Sequence, residues 1–133
     1  MSCVFCKIIA GEIPGMKVYE DEHTIVIMDI AGDMDGHMLA IPKKHVNNIL
    51  DCDVETLHHL MDTVKKVSNH CVENCGYDGV NLLNASDESA GQSVPHFHIH
   101  IMPRKRGDGI DTWPNLPGAT REITQVFEEI KMI

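Results

Sequence analysis

The sequence has 133 residues, 43% of them hydrophobic, enough for one domain with a single core and small enough that a partner subunit would help to cover its apolar surface. Eleven Lys and Arg against twenty Asp and Glu give a net charge of −9, which argues against nonspecific binding to nucleic acid or an anionic membrane, since both need a basic surface. The N-terminus carries neither a basic segment nor an unbroken apolar run, so no signal peptide or membrane span is predicted and a cytoplasmic protein is expected.

Five cysteines without a secretory context predict reduced thiols or a metal rather than a disulfide framework. Cys3 and Cys6 form a C-x-x-C pair that is open to three readings: a redox couple, half of a zinc site, or two small apolar residues at a helix start. Redox is the weakest, because a thioredoxin-like motif would follow a strand. Residues Phe5 to Ala10 predict a short helix ended by Gly11, and Ile13-Pro14-Gly15 a turn. Strands at Lys17 to Glu20 and Thr24 to Asp29 make a hairpin through Asp21-Glu22-His23. A third strand, His37 to Ile41, is stopped by Pro42. From Asp51 or Asp53, either able to cap it, an amphipathic helix runs to Cys75, with Val54, Leu57, Leu60, Met61, Val64, Val67, Cys71, Val72 and Cys75 on a stripe that is core or dimer interface. His58, His59 and His70 read as surface, and Cys71 and Cys75 as buried free thiols.

Gly79 to Asn84 is the fourth strand and His96 to Met102 the fifth. Alternation sends His96, His98 and His100 to one face, about 7 Å apart, and Phe97, Ile99 and Ile101 to the other. Between these strands, Asn84 to Pro95 is small, polar and glycine-bearing, which suits a loop whose amides approach an anion closely. A neutral imidazole beside such a loop is a good nucleophile for phosphorus, and a second can guide a proton to the leaving group. The same spacing fits metal binding, and position alone does not separate the two. Lys43, Lys44, Arg104, Lys105 and Arg106 flank the histidine segments and could offset the negative field locally. The expected architecture is α+β: a five-stranded antiparallel sheet, one long helix and short terminal helices, with the helices gathered on one side. Beyond Arg104 the pattern weakens to loop, with Trp113 in an irregular stretch and a helix over Thr120 to Met132 whose apolar side is Ile123, Val126, Phe127 and Ile130.

The run Gly91-Gln92-Ser93-Val94-Pro95-His96-Phe97-His98-Ile99-His100, with Cys3 to Pro14, Val18 to Asp21 and Gly36 to His45, resembles the histidine triad (HIT) superfamily, most closely its Hint branch of purine nucleoside phosphoramidases. The blocks come in the family's order and reach to about Arg104, implying one HIT domain over 1–133 with a core of about 3–104 and an extension over 105–133. The resemblance implies a zinc ion of structural role held by Cys3, Cys6, His45 and His96, and a base pocket lined by Val4, Phe5, Ile8, Ile27 and Ile30, with Asp29 accepting from the ribose hydroxyls. It further implies His98 as the nucleophile that carries the nucleotidyl group. His100 and Ser93 would stabilise the phosphoryl oxygens and help the amine depart, while amides near Gln92 and the Asn84 side chain hold the phosphate. His96 would orient His98 through its carbonyl, and His37 would support the triad as the family's fourth histidine.

The implied substrate is a purine nucleoside 5'-phosphoramidate or aminoacyl adenylate, bound through its AMP or GMP moiety, and the implied assembly is a homodimer whose C-terminal tail approaches the partner's site. Competing readings are a dinucleoside polyphosphate hydrolase, a nucleotide-binding regulator with little turnover, and a zinc-binding interaction module. One stretch departs from the family: Ala31-Gly32-Asp33-Met34-Asp35-Gly36 brings two extra carboxylates to the pocket mouth, where they could repel phosphate or select a cationic leaving group.

Overall fold

A computed structural model describes residues 3–133. The chain runs α1 (Val4–Ile9), β1 (Lys17–Glu20), β2 (Thr24–Met28), β3 (Met38–Pro42), α2 (Val54–Asn74), β4 (Gly79–Leu83), β5 (Ile99–Arg104) and α3 (Ile123–Ile130), with a 3₁₀ turn at Glu88–Ala90 before β5. The strands make one antiparallel sheet in the order β1-β2-β3-β5-β4, the expected α+β architecture. Helix α2 links β3 to β4 at the sheet edge, so that β5 inserts between them.

The helix caps follow local chemistry. Asp53, not Asp51, caps α2 by accepting the Thr56 N–H, which satisfies one of the donors every helix start leaves unpaired. Asp51 instead accepts from the backbone N–H groups of Asn47 and Asn48. Cys3 caps α1, its sulfur taking the Cys6 N–H.

The helices do not gather on one side. Val26, Met38, Ala40, Phe97, Ile99 and Ile101 face α2 and pack on Leu60, Val64, Val67 and Cys71, while Ile25, Ile27, Leu39 and Ile41 face the other way and pack on Phe5 and Ile8 of α1. Both surfaces of β2 and β3 are therefore covered, which explains their nearly continuous apolar runs. Cys71 is buried as expected, but Cys75 is exposed, because it is the C-cap of α2 and lies where the chain leaves the core.

Strand β5 begins at Ile99 rather than His96. The Phe97 N–H donates to the Val46 carbonyl in the β3–α2 connection, and the ladder with β3 spans only Met38↔Ile101 to Ala40↔Ile99. The expected alternation holds through this irregular start. His37 is preceded by Gly36 at φ +82°, where a Cβ would stand 3.0 Å from the Tyr77 hydroxyl and 3.2 Å from Pro103 Cγ, so a side chain there would displace the turn that delivers His37. Beyond β5, α3 buries none of its residues, and Trp113 is exposed. Among the described residues no helix is long and apolar enough to cross a membrane.

Candidate functional site

His96, His98 and His100 stand in a row against the α1 side of the sheet. Phe5 of α1 meets the His98 ring edge-on at 5.1 Å between centroids, and the His98 and His100 rings are likewise 5.1 Å apart. His98 is buried, and its Nδ1 lies 2.8 Å from the His96 carbonyl oxygen. A carbonyl only accepts, so Nδ1 carries the hydrogen and Nε2 keeps its lone pair. Asn84 Nδ2 donates to the His98 carbonyl at 2.8 Å, holding the same residue from its other side.

His98 and His100 line a cavity of about 360 Å³ together with Phe5, Ile8, Ile27, Asp29, Ile30 and Ser93. Of the residues expected at the nucleotide, this brings together the apolar set, the ribose-binding candidate Asp29 and one loop hydroxyl. Ile30 is 86% exposed, so it forms the rim rather than the floor. Pro14, Gly15, Met16, Leu39 and Val94 also line the cavity and were not singled out from sequence. Apolar residues in a turn or strand give no signal that distinguishes a pocket wall from core.

Asn84 and Gln92 are not part of this lining. The Gln92 side chain is committed to the loop: Oε1 accepts from Asp87 N–H and Asn48 Nδ2, and Nε2 donates to the carbonyls of Asn47 and Val94. The backbone N–H groups of Gly91 and Gln92 are engaged by the Glu88 and Asp87 carbonyls. That leaves Ser93 as the polar loop side chain that lines the cavity with the rings. Four of the five flanking cations are also paired elsewhere, Lys43 with Glu20, Lys44 with Asp53, Arg104 with Asp108 and Arg106 with Asp78, and Lys105 lies over the Tyr77 ring.

At one end of the row, Cys3, Cys6, His45 and His96 bring one ligand atom each within 4.8 Å of the others. The His96 Nδ1 is 3.4 Å from Cys3 Sγ and 3.5 Å from Cys6 Sγ, and His45 Nδ1 is 3.2 Å from Cys6 Sγ. These are close to the roughly 3.6 Å edge of a tetrahedron built on Zn–S and Zn–N bonds of about 2.3 and 2.0 Å. His96 Nε2 donates to the Pro42 carbonyl at 2.8 Å, which fixes Nδ1 as the bare nitrogen facing the sulfurs. Burial holds His96 below the ordinary imidazole range and pushes the Cys6 thiol up, with Cys3 adding to the latter.

At the other end, His37 Nε2 is 2.8 Å from His100 Nδ1, and His37 Nδ1 is 2.8 Å from Asp33 Oδ1. Asp29 Oδ2 is 3.5 Å from His37 Nε2, while Asp29 Oδ1 accepts the Ala31 N–H. Burial, then the neighbouring His98 and His37, push His100 down, and Asp29 and Asp33 partly offset this. Asp29, His37 and His100 also bring ligand atoms together, but a 2.8 Å separation between two ring nitrogens is that of a hydrogen bond.

The sequence pattern of the HIT domain matches residues 10–107. The chain is 36% identical over 133 residues to an adenosine 5'-monophosphoramidase of Schizosaccharomyces pombe, covering 98% of this chain and 96% of that protein. It is 42% identical over 106 residues to an adenylylsulfatase of Arabidopsis thaliana, covering 80% of this chain and 54% of that protein. A zinc-bound histidine triad family protein from Mycobacterium smegmatis superposes with a TM-score of 0.79 at 34% identity, covering 86% of this chain and 84% of that one.

Proposed function

This chain belongs to the HIT family, and on that premise we propose that it hydrolyses purine nucleoside 5'-phosphoramidates or aminoacyl adenylates through a nucleotidylated His98. The observation that carries the proposal is the bond from His98 Nδ1–H to the His96 carbonyl, which leaves an Nε2 lone pair on a ring lining the cavity. In the first half-reaction His98 Nε2 attacks the α-phosphorus, the P–N bond of a phosphoramidate or the P–O bond of an aminoacyl adenylate breaks, and the leaving amine or carboxyl group departs with a proton from His100 Nε2. In the second, water attacks phosphorus, the P–Nε2 bond breaks, and the water proton returns to His100. The products are a nucleoside monophosphate and an amine or, from an aminoacyl adenylate, the amino acid.

The other residues serve this centre. Phe5, Ile8, Ile27 and Ile30 offer an apolar slot for a purine, and Asp29 offers an acceptor for ribose hydroxyls. Ser93 Oγ is the donor available to a phosphoryl oxygen as charge develops there. The Asn84 side chain acts at one remove, by holding the His98 backbone in place of the direct phosphate contact expected from sequence, and the Gln92 side chain braces the loop whose backbone amides were expected at the phosphate. Cys3, Cys6, His45 and His96 suit a zinc ion by donor type and spacing; bound there, it would tie α1 to the histidine row and take no part in the reaction. A homodimer is the assembly proposed for the exposed apolar surface of α2 and the C-terminal extension.

Turnover of a fluorogenic nucleoside phosphoramidate by the wild type and by His98→Ala, with zinc measured in both, tests the proposal. Activity should vanish in the variant while its zinc content stays. A phosphoryl adduct trapped on any other side chain would overturn the mechanism. Faster cleavage of a dinucleoside polyphosphate would overturn the substrate class.

A further inference from the structure

Asp33 lies in the acidic loop between β2 and β3, four residues before His37, and outside the machinery described above. Its carboxylate is 2.8 Å from His37 Nδ1. An ionised carboxylate only accepts, so His37 Nδ1 carries a hydrogen. The hydrogen in the next bond, between His37 Nε2 and His100 Nδ1 at 2.8 Å, then depends on the charge of His37 alone. With His37 neutral, Nε2 is bare, His100 Nδ1 donates to it, and His100 presents a bare Nε2. With His37 protonated, Nε2 donates to His100 Nδ1, and a neutral His100 must carry its hydrogen on Nε2.

We propose that Asp33 is a positioning residue that makes His37 the proton store for His100, so that one proton alternates between His37 and the His100 Nε2 position during the two half-reactions. The inference rests on the hydrolase reading above and deepens it. When the leaving amine takes the Nε2 proton of His100, His37 passes its own Nε2 proton to His100 Nδ1 and becomes neutral. When water loses a proton to His100 Nε2, the Nδ1 proton returns to His37. No net proton is gained or lost by the pair, and the Asp33 charge is what favours the loaded state.

The groups facing His37 are consistent with a store. Asp33 approaches from the loop, Asp29 from the end of β2 at 3.5 Å, and His100 from β5 with ring centroids 5.0 Å apart, with His98 beyond it. Two carboxylates favour the extra proton and two imidazoles oppose it. His37 is 4% exposed, and its contact holds the Asp33 carboxyl below the usual carboxylate range.

The test compares two AMP derivatives that need different help to leave: an alkylamine phosphoramidate, whose nitrogen must be protonated, and a p-nitrophenyl ester, whose phenolate departs unaided. Asp33→Asn keeps shape and an acceptor oxygen but removes the charge. The ratio of amide to ester kcat should fall about tenfold near neutral pH, the value of one pKa unit. The high-pH limit of the amide profile, where the stored proton is lost, should move down by about one unit. Asp33→Glu should restore part of the ratio. A variant with the wild-type ratio and profile overturns the proposal, and so does an equal loss on both substrates, which would mark Asp33 as structural. A wild type inert toward both compounds would sink the hydrolase reading itself, whereas an active wild type with an unchanged Asp33→Asn ratio sinks only the proton store.

Discussion

The two ends of the imidazole row are built from opposite chemistry around one central ring. At the α1 end His96 is fully buried and turns a bare nitrogen toward two sulfurs and a second imidazole. At the loop end His100 is half-buried and donates or accepts through His37, which is backed by the carboxylates of Asp33 and Asp29. Neutral nitrogen with sulfur is a donor set for a cation that stays; imidazole with carboxylate is a set for a proton that moves. The contrast teaches that three like residues at period two need not share a task, because the second layer around each ring decides what it can do.

The largest expected effect falls on the ring between the ends. His98→Ala should lower phosphoramidate turnover by about a thousandfold or more in a steady-state assay. Zinc content and the His37–His100 coupling should both survive, because neither depends on the His98 ring; loss of either would mean that the ends are not separate. Next, Cys6→Ser should reduce bound zinc to a trace by elemental analysis. It should also cost about 4 kcal/mol in denaturant unfolding at zinc a thousandfold above its Kd, leaving the Asp33 effect intact.

A third prediction concerns pH. Burial lowers His100 in the folded state, so the unfolded chain binds more protons once pH falls below its ordinary value of about 6.5. Stability should therefore be flat above that value and decline below it, and His100→Gln should reduce the slope in urea titrations run from pH 7.5 to 5. The smallest effect serves as a control on the opposite face: Ile101→Val, fully buried against α2, should cost about 0.5–1.5 kcal/mol and alter neither zinc nor the amide-to-ester ratio.

Much of this was legible in the sequence because it is written in periodicity. The α2 stripe and the alternation of Phe97, Ile99 and Ile101 against the histidines are one-dimensional patterns; the alternation holds in three dimensions, and the stripe holds at Leu60, Val64, Val67 and Cys71, while Val54, Met61, Val72 and Cys75 on it are exposed. The resemblance of four separate blocks to the HIT family carried the site, and it set Cys3, Cys6, His45 and His96 together before any coordinates did so. What escaped is what depends on long-range partners. That β5 begins at Ile99 follows from the Phe97 N–H reaching Val46, 51 residues earlier in the chain (97 − 46), which no local pattern encodes. The packing of α1 opposite α2 follows from the apolar backs of β2 and β3, whose continuous runs do not say which helix covers which side. The Asn84 side chain and the backbone amides near Gln92 suited a phosphate by type, yet the Asn84 amide is committed to the His98 carbonyl and the Gly91 and Gln92 N–H groups to the Glu88 and Asp87 carbonyls. Asp33 and His37 are four residues apart, a spacing open to inspection, but the loop carboxylates read as a source of repulsion because nothing local aimed one of them at a ring.

The bond that aims His98 closes within three residues of chain, from its own ring to the carbonyl two positions back. A ring oriented by such a short backbone loop is insulated from drift elsewhere: substitutions in the cavity wall or at its Ile30 rim can alter what enters the cavity without re-aiming His98 Nε2. On the proposed mechanism, the aim of that nitrogen and the selectivity of its surroundings can therefore diverge independently, and the wall residues are where changes of substrate among related chains should accumulate.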